Sequence, residues 1–157
     1  MKVRDVMRVE FAATSPDATV LEAGRLMMTT AEEALPVVQG GELVGIIAER
    51  DILNAIFTRL SEDFYLLGSQ GVDFEDVGAL QSLLKQSVAA MMKTKVVVTT
   101  PDLPAFRAGA TMLSKRIRRL PVVADGVLLG VVFARDIHAA IIRSVSDIAG
   151  TEIGASR

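Results

Sequence analysis

Two aspartates, Asp51 and Asp136, each follow an arginine and stand 85 positions apart; a basic run, Lys115-Arg116-Ile117-Arg118-Arg119, lies between them. Carboxylates and guanidiniums hold polar ligands; a catalytic site made only of Asp and Glu is conceivable, but nothing in the chain singles one out. There is no cysteine, which excludes disulfides, zinc–thiolate sites and thiol nucleophiles. The single histidine, His138, has Leu53 at its counterpart 85 positions earlier, which suits a packing or surface residue better than a general base. No Ser-His-Asp set can be assembled, and no His-rich metal spacing exists. Glu32-Glu33 and Glu62-Asp63 are adjacent in sequence, where helical geometry points them apart. The glycine pairs suit hairpins, and no glycine-rich loop precedes a Lys-Ser/Thr. These residue types support binding rather than catalysis. Taken singly, an aspartate of this kind complements the positive end of a helix, and a charge run after a helix is a solvated surface.

What changes that weighing is duplication. Val3 to Ile56 is written again, without a gap, from Val88 to Ile141, with about 20 identities over the aligned positions. A repeat of this kind makes the chain two copies of one small unit. We divide it into a first repeat over 1–56, a helical insert over 57–87, a second repeat over 88–143 and a C-terminal tail over 144–157.

The elements that position the aspartates follow from local patterning. Each copy opens with an extended stretch, Val9 to Thr14 or Val96 to Thr100, closed by Pro16-Asp17 or Pro101-Asp102. Val20, Ala23, Gly24, Met27 and Met28 share one helix face, as do Ala105, Ala108, Gly109, Met112 and Leu113. Thr19 with Glu22 predicts a capping box that the second copy, with Pro104 and Arg107, lacks. Leu-Pro-Val-Val at 35–38 and 120–123 then turns through Gly40-Gly41 or Asp125-Gly126, both hairpin signals. The returning strands, Leu43 to Ala48 and Leu128 to Phe133, are apolar at nearly every position, as for strands covered on both faces. A second helix starts at Arg50-Asp51 and Arg135-Asp136. In the insert, Gly68 to Gly71 marks a break, and Asp73 can cap a helix with Val77, Leu80, Leu83 and Leu84 on one face. Periodicity favours a packing helix there over a lid.

The unit resembles the cystathionine-β-synthase (CBS) domain, and the chain is similar to a tandem CBS pair. The resemblance rests on Arg-Asp-Val-Met at 4–7, the two Leu-Pro-Val-Val runs, Gly-Ile-Ile-Ala-Glu-Arg-Asp-Ile at 45–52 and Gly-Val-Val-Phe-Ala-Arg-Asp-Ile at 130–137. It implies a mixed α/β (α+β) fold of two pseudo-symmetric β-α-β-β-α repeats packed sheet to sheet, each with a three-stranded sheet. It also implies a regulatory module that binds an adenosine-containing ligand (AMP, ADP, ATP or S-adenosylmethionine) in the clefts between repeats and signals to a partner protein. Asp51 and Asp136 match the acid that takes the ribose hydroxyls; a carboxylate can accept two bonds from a diol. Arg118 and Arg119 match a position that faces the ligand phosphates, where the first copy has Glu32-Glu33-Ala34. Where the family carries Ser or Thr three residues before the acid, this chain has Ala48 and Phe133. That removes a phosphate hydrogen bond from both clefts, and Phe133 fills space where Ala48 leaves it.

Composition points the same way. With 50% hydrophobic residues and a mean hydropathy of +0.40, two small repeats must bury apolar surface against each other and against a second chain. A homodimer with isologous contacts through the repeat helices is therefore expected. The net charge of −2 hides an asymmetry, −4 over residues 1–56 against +6 over 88–143. An acidic chain is a poor partner for nucleic acid, yet the second copy can hold a small anion. The opening residues lack the apolar stretch of a signal peptide, and no apolar run is long enough to span a bilayer. A cytoplasmic protein without a required cofactor or metal is the expectation. The competing readings are a scaffold with degenerate clefts, or a divalent-cation sensor using the acidic first half.

Overall fold

The computed structural model describes the backbone of residues 1–67 and 77–154, and the side chains of 1–59 and 78–146. Two compact units are present: Ala12–Val96, and Met1–Phe11 together with Val97–Arg157. They do not coincide with the sequence repeats. The opening segment of each repeat belongs to the unit built around the other.

In the first unit, α1 (Val20–Thr30) leads into a hairpin of β1 (Ala34–Gln39) and β2 (Glu42–Ala48), followed directly by α2 (Glu49–Leu67), then α3 (Val77–Leu84) and the short α4 (Val88–Met91). The capping box forms as expected: Glu22 N–H donates to Thr19 Oγ1 at 3.1 Å, and Thr19 N–H to Glu22 Oε2 at 2.7 Å. The Thr19 N–H, with the Thr19 hydroxyl donating to the same oxygen at 2.9 Å, holds the Glu22 carboxyl below its ordinary pKa of 4.5, the backbone N–H being the larger cause. The core is one apolar cluster of Val20, Ala23, Met27, Leu35, Val37, Ile47, Ile52 and Val88, with Leu84 of α3 packed on it. So α3 covers apolar surface, as periodicity predicts. The Gly68–Gly71 break and the Asp73 cap lie outside the described residues.

The second unit repeats the plan with α5 (Ala105–Lys115), β3 (Arg119–Ala124), β4 (Val127–Phe133) and α6 (Ala134–Gly154) around Val3, Ala105, Ala108, Met112, Leu120, Val122, Val132 and Ile137. Both second helices outrun the repeats. α2 reaches into the insert because no glycine or proline interrupts 49–67, and α6 carries on through most of the tail.

Both hairpins turn as the sequence predicts, with Gly40, Gly41, Asp125 and Gly126 at positive φ. Their registers match pair for pair: Ala34 faces Ala48, and Arg119 faces Phe133. The expected third strand is reduced to a single bridge. Thr14 pairs in parallel with Val37, and Thr99 with Val122, each through two backbone hydrogen bonds of 2.9–3.0 Å. The turns at Pro16 and Pro101, two residues on, carry the chain away before the ladder can extend.

The other edge of each hairpin is met by the opening segment of the other repeat. In the first unit Lys93 and Ile46 exchange two backbone bonds of 2.8 and 2.9 Å; in the second, Arg8 and Val131 exchange two of 2.9 Å. The approach is close. A Cβ on Gly45 would stand 3.0 Å from the Lys93 carbonyl oxygen, and one on Gly130 would stand 2.6 Å from that of Arg8. Only glycine leaves room for the crossing segment. These segments are anchored alike, Val88 N–H to Ala18 O and Val3 N–H to Leu103 O, at 2.7 and 2.9 Å.

The helix faces are buried in part. Met27 and Met112 are 5% and 2% exposed, as expected, whereas Met28 and Leu113 each stand 83% exposed within the chain.

Candidate functional site

Each unit brings its aspartate to the first turn of a helix that leaves a strand without a loop. Glu49 N–H donates to the Glu33 carbonyl and Ala134 N–H to that of Arg118, both at 2.9 Å, which ties the helix start to the residue preceding the facing strand. Asp51 and Asp136 thereby sit third in α2 and α6, half-sheltered, with side chains 13% and 22% exposed.

Both carboxylates hold a cation from the crossing segment. Lys93 Nζ reaches Asp51 Oδ1 at 2.7 Å. Arg8 forks onto Asp136, Nε to Oδ2 and Nη2 to Oδ1, both at 2.7 Å. Position 8 and position 93 are repeat equivalents, so the two pairs are one motif made twice. Neither cation was singled out from the sequence. The signal that finds them is the repeat itself: the only basic equivalents differing in type are Arg8 and Lys93.

Around the aspartates the two units diverge. In the first, the cross-strand pair beside the helix start is Ala34 and Ala48, two small side chains. In the second it is Arg119 and Phe133, and the ring is 7% exposed. Three guanidiniums converge on that ring: Arg8, Arg119 and Arg135 lie 5.0, 5.1 and 4.9 Å from its centroid. The nearly buried Phe133 ring thus gathers a concentration of positive charge around it. Arg118 and Arg119 part company. Arg119 lies over Phe133, whereas Arg118, one residue before β3, is exposed. His138 is exposed on α6.

One buried hydroxyl in the second unit, Thr99 Oγ1, has no hydrogen-bond partner among the described residues. Also among the described residues, no cluster of His, Cys, Asp or Glu has the arrangement to hold a metal ion, and no helix is long and apolar enough to cross a membrane.

The chain has relatives among known proteins and solved structures. The chain is 32% identical over 156 residues to protein MJ1426 of Methanocaldococcus jannaschii, covering 90% of this chain and 92% of that one. It is 32% identical over 135 residues to the CBS domain-containing protein YhcV of Bacillus subtilis, covering 86% and 81%. Among solved structures, MJ1225 of Methanocaldococcus jannaschii superposes with a TM-score of 0.72 at 20% identity, over 89% of this chain and 47% of that longer one. CBSX2 of Arabidopsis thaliana, in complex with AMP, gives 0.70 at 24% identity over 90% and 96%. The CBS domain pair of MJ0100, in complex with 5′-methylthioadenosine and S-adenosyl-L-methionine, gives 0.67 at 22% over 92% and 98%. The CBS domain family matches residues 3–58 and again 88–143, the two copies of the internal repeat; the chain is a tandem pair of CBS domains and belongs to that family.

Proposed function

We propose that the chain is a non-catalytic regulatory module that binds an adenosine-containing ligand and passes the bound state to a protein partner. The observation that carries the reading is Asp51. It sits at a helix start beside the Ala34–Ala48 pair, two small side chains, and Lys93 engages one of its oxygens. The other remains to accept a bond from a ribose hydroxyl. At Asp136 both oxygens are taken by Arg8, and Phe133 occupies the adjoining space. Folds of this kind accommodate such ligands, as the AMP, methylthioadenosine and S-adenosylmethionine complexes of CBSX2 and MJ0100 illustrate.

The half-sites differ in charge. Arg118, Arg119 and Arg135 favour a phosphate-bearing ligand on Asp136, whereas Glu33 and Glu49, bonded to each other at the helix start two residues before Asp51, favour an uncharged or cationic one, adenosine or S-adenosylmethionine, there. In this reading the module works in the cytoplasm as a homodimer, needs no cofactor, and binds neither membrane nor nucleic acid. Calorimetry with adenosine, AMP, ADP, ATP and S-adenosylmethionine tests it, on the intact chain and on Asp51→Ala and Asp136→Ala. Binding of at least one of them, weakened by loss of an aspartate, is the expected result. No heat from any of them at millimolar concentration overturns the reading in favour of a scaffold. Binding that ignores both substitutions moves the ligand elsewhere.

A further inference from the structure

One aspartate of the pair is held in a way that its repeat equivalent is not. In the second unit the Arg8 fork gives each carboxylate oxygen of Asp136 one N–H at 2.7 Å. An adjacent pair of ribose hydroxyls would use the same two acceptors, so the fork stands where a diol would stand. In the first unit Lys93 brings a single bond of 2.7 Å to Oδ1 of Asp51. An ammonium is a compact charge that can stay on one oxygen while a hydroxyl takes the other; a planar fork spanning both oxygens cannot share its carboxylate in this way. The Arg8 guanidinium also lies 5.0 Å from the centre of the Phe133 ring, with those of Arg119 and Arg135 at 5.1 and 4.9 Å. Three guanidiniums thus gather beside one carboxylate, and all these residues belong to the second unit.

We propose that Arg8 is the specificity-determining residue of the second half-site: it closes Asp136 to nucleosides and yields it to nucleotides. A nucleoside that takes Asp136 must displace the fork, and it offers the guanidinium nothing in exchange. A nucleotide brings its own anion. Arg8 then trades the carboxylate for phosphate, a partner its fork also fits, and the diol takes the oxygens it leaves. The charge-assisted bonds that break are replaced in one case and lost in the other. With its side chain 44% exposed, Arg8 can turn from Asp136 without opening the core. Arg119 and Arg135 also attract phosphate, but the fork that a diol must displace belongs to Arg8. At Asp51 the single lysine bond imposes no such choice. The inference rests on the reading that the chain binds an adenosine-containing ligand, and adds what selects between ligands at one of its two aspartates.

Calorimetry with adenosine and AMP on the full-length Asp51→Ala protein reads the second half-site, and adding Asp136→Ala identifies the heat that belongs to it. AMP should bind there about tenfold or more tightly than adenosine, the equivalent of one charge-assisted bond. Arg8→Lys or Arg8→Ala on the same background should tighten adenosine about tenfold and AMP by clearly less, so the preference for AMP shrinks. Arg8→Lys keeps the positive charge, which separates loss of the fork from loss of the charge, and a retained thermal unfolding transition shows that each variant is folded. In the intact chain the Arg8 Nε–H resonance, assigned by its loss in Arg8→Lys, should move on addition of AMP and hold its place with adenosine at the same concentration. Adenosine bound at Asp136 as tightly as AMP, an equal change for both ligands in the folded Arg8 variants, or an Arg8 resonance that ignores bound AMP overturns the proposal. So does AMP binding that Asp136→Ala leaves untouched, and in that case a ligand on Asp51 still stands. No heat from either ligand, nor from ADP, ATP or S-adenosylmethionine, in the intact chain overturns this proposal and the ligand reading together.

Discussion

Replacing Arg8 with alanine should destabilise the chain more than replacing its repeat equivalent, Lys93. Arg8 makes two hydrogen bonds of 2.7 Å to Asp136, whose side chain is 22% exposed, and covers Phe133. A hydrogen bond to a charged group is worth about 1.5–3 kcal/mol when sheltered, and a fully exposed ion pair about 0.2–1 kcal/mol. With Arg8 itself 44% exposed, the forked pair falls between these limits, at about 1–1.5 kcal/mol. The cation–π contact adds about 0.5 kcal/mol, so Arg8→Ala should cost about 2 kcal/mol. Lys93 is 55% exposed and makes one bond to Asp51. Its removal should cost about 0.5–1 kcal/mol. Arg8→Lys keeps the charge without the planar fork and should fall in between. Urea unfolding of the three variants measures this, and a double-mutant cycle of Arg8→Ala with Asp136→Ala isolates the pair. Because Arg8 occupies both oxygens of Asp136, Arg8→Ala should also free that carboxylate and tighten any ligand held there. Equal losses for Arg8→Ala and Lys93→Ala, or a coupling energy below about 0.3 kcal/mol, would refute the idea that the forked pair holds the crossing segment.

Gly130→Ala should lose about 1–3 kcal/mol in urea unfolding, because its Cβ meets a backbone carbonyl pinned by a two-bond bridge. Gly45→Ala should lose less, since the nearest atom there is the Met92 sulfur, which can turn aside. Ala31 ends α1 at φ 54°, a conformation glycine adopts freely, so Ala31→Gly should raise stability by about 0.5–1 kcal/mol in thermal melts. Glu22 titrates below 4.5 in the folded chain, so the capping box contributes stability above that pH, lost as pH falls through the folded value. Carbon-detected NMR should show that low midpoint, and Thr19→Ala should return it towards 4.5. Asp51→Ala should weaken binding of adenosine or S-adenosylmethionine roughly tenfold to a hundredfold by calorimetry, the equivalent of one charged hydrogen bond.

Local chemistry alone specified much of this molecule. Gly-Gly and Asp-Gly turns demand positive φ, Thr19 and Glu22 can satisfy each other within four residues, and the spacing of Val20, Ala23 and Met27 defines a core face. Duplication then raised two ordinary aspartates into a candidate site. Tertiary structure decided which partner each segment meets. Nothing in the periodicity of residues 1–11 or 88–96 says that each docks on the hairpin of the other repeat, because their backbone bonds join strands far apart in sequence. That docking explained Gly45 and Gly130, whose role is to admit a carbonyl, while the turns at Pro16 and Pro101 cut the expected first strands to single bridges. The docking also placed Arg8 on Asp136, 128 residues away. Helix periodicity likewise grouped Met28 with Met27, though one is 83% and the other 5% exposed, because adjacent positions turn by about 100°. Burial within one chain is set by what packs against a helix, and a sequence pattern marks only which face is available.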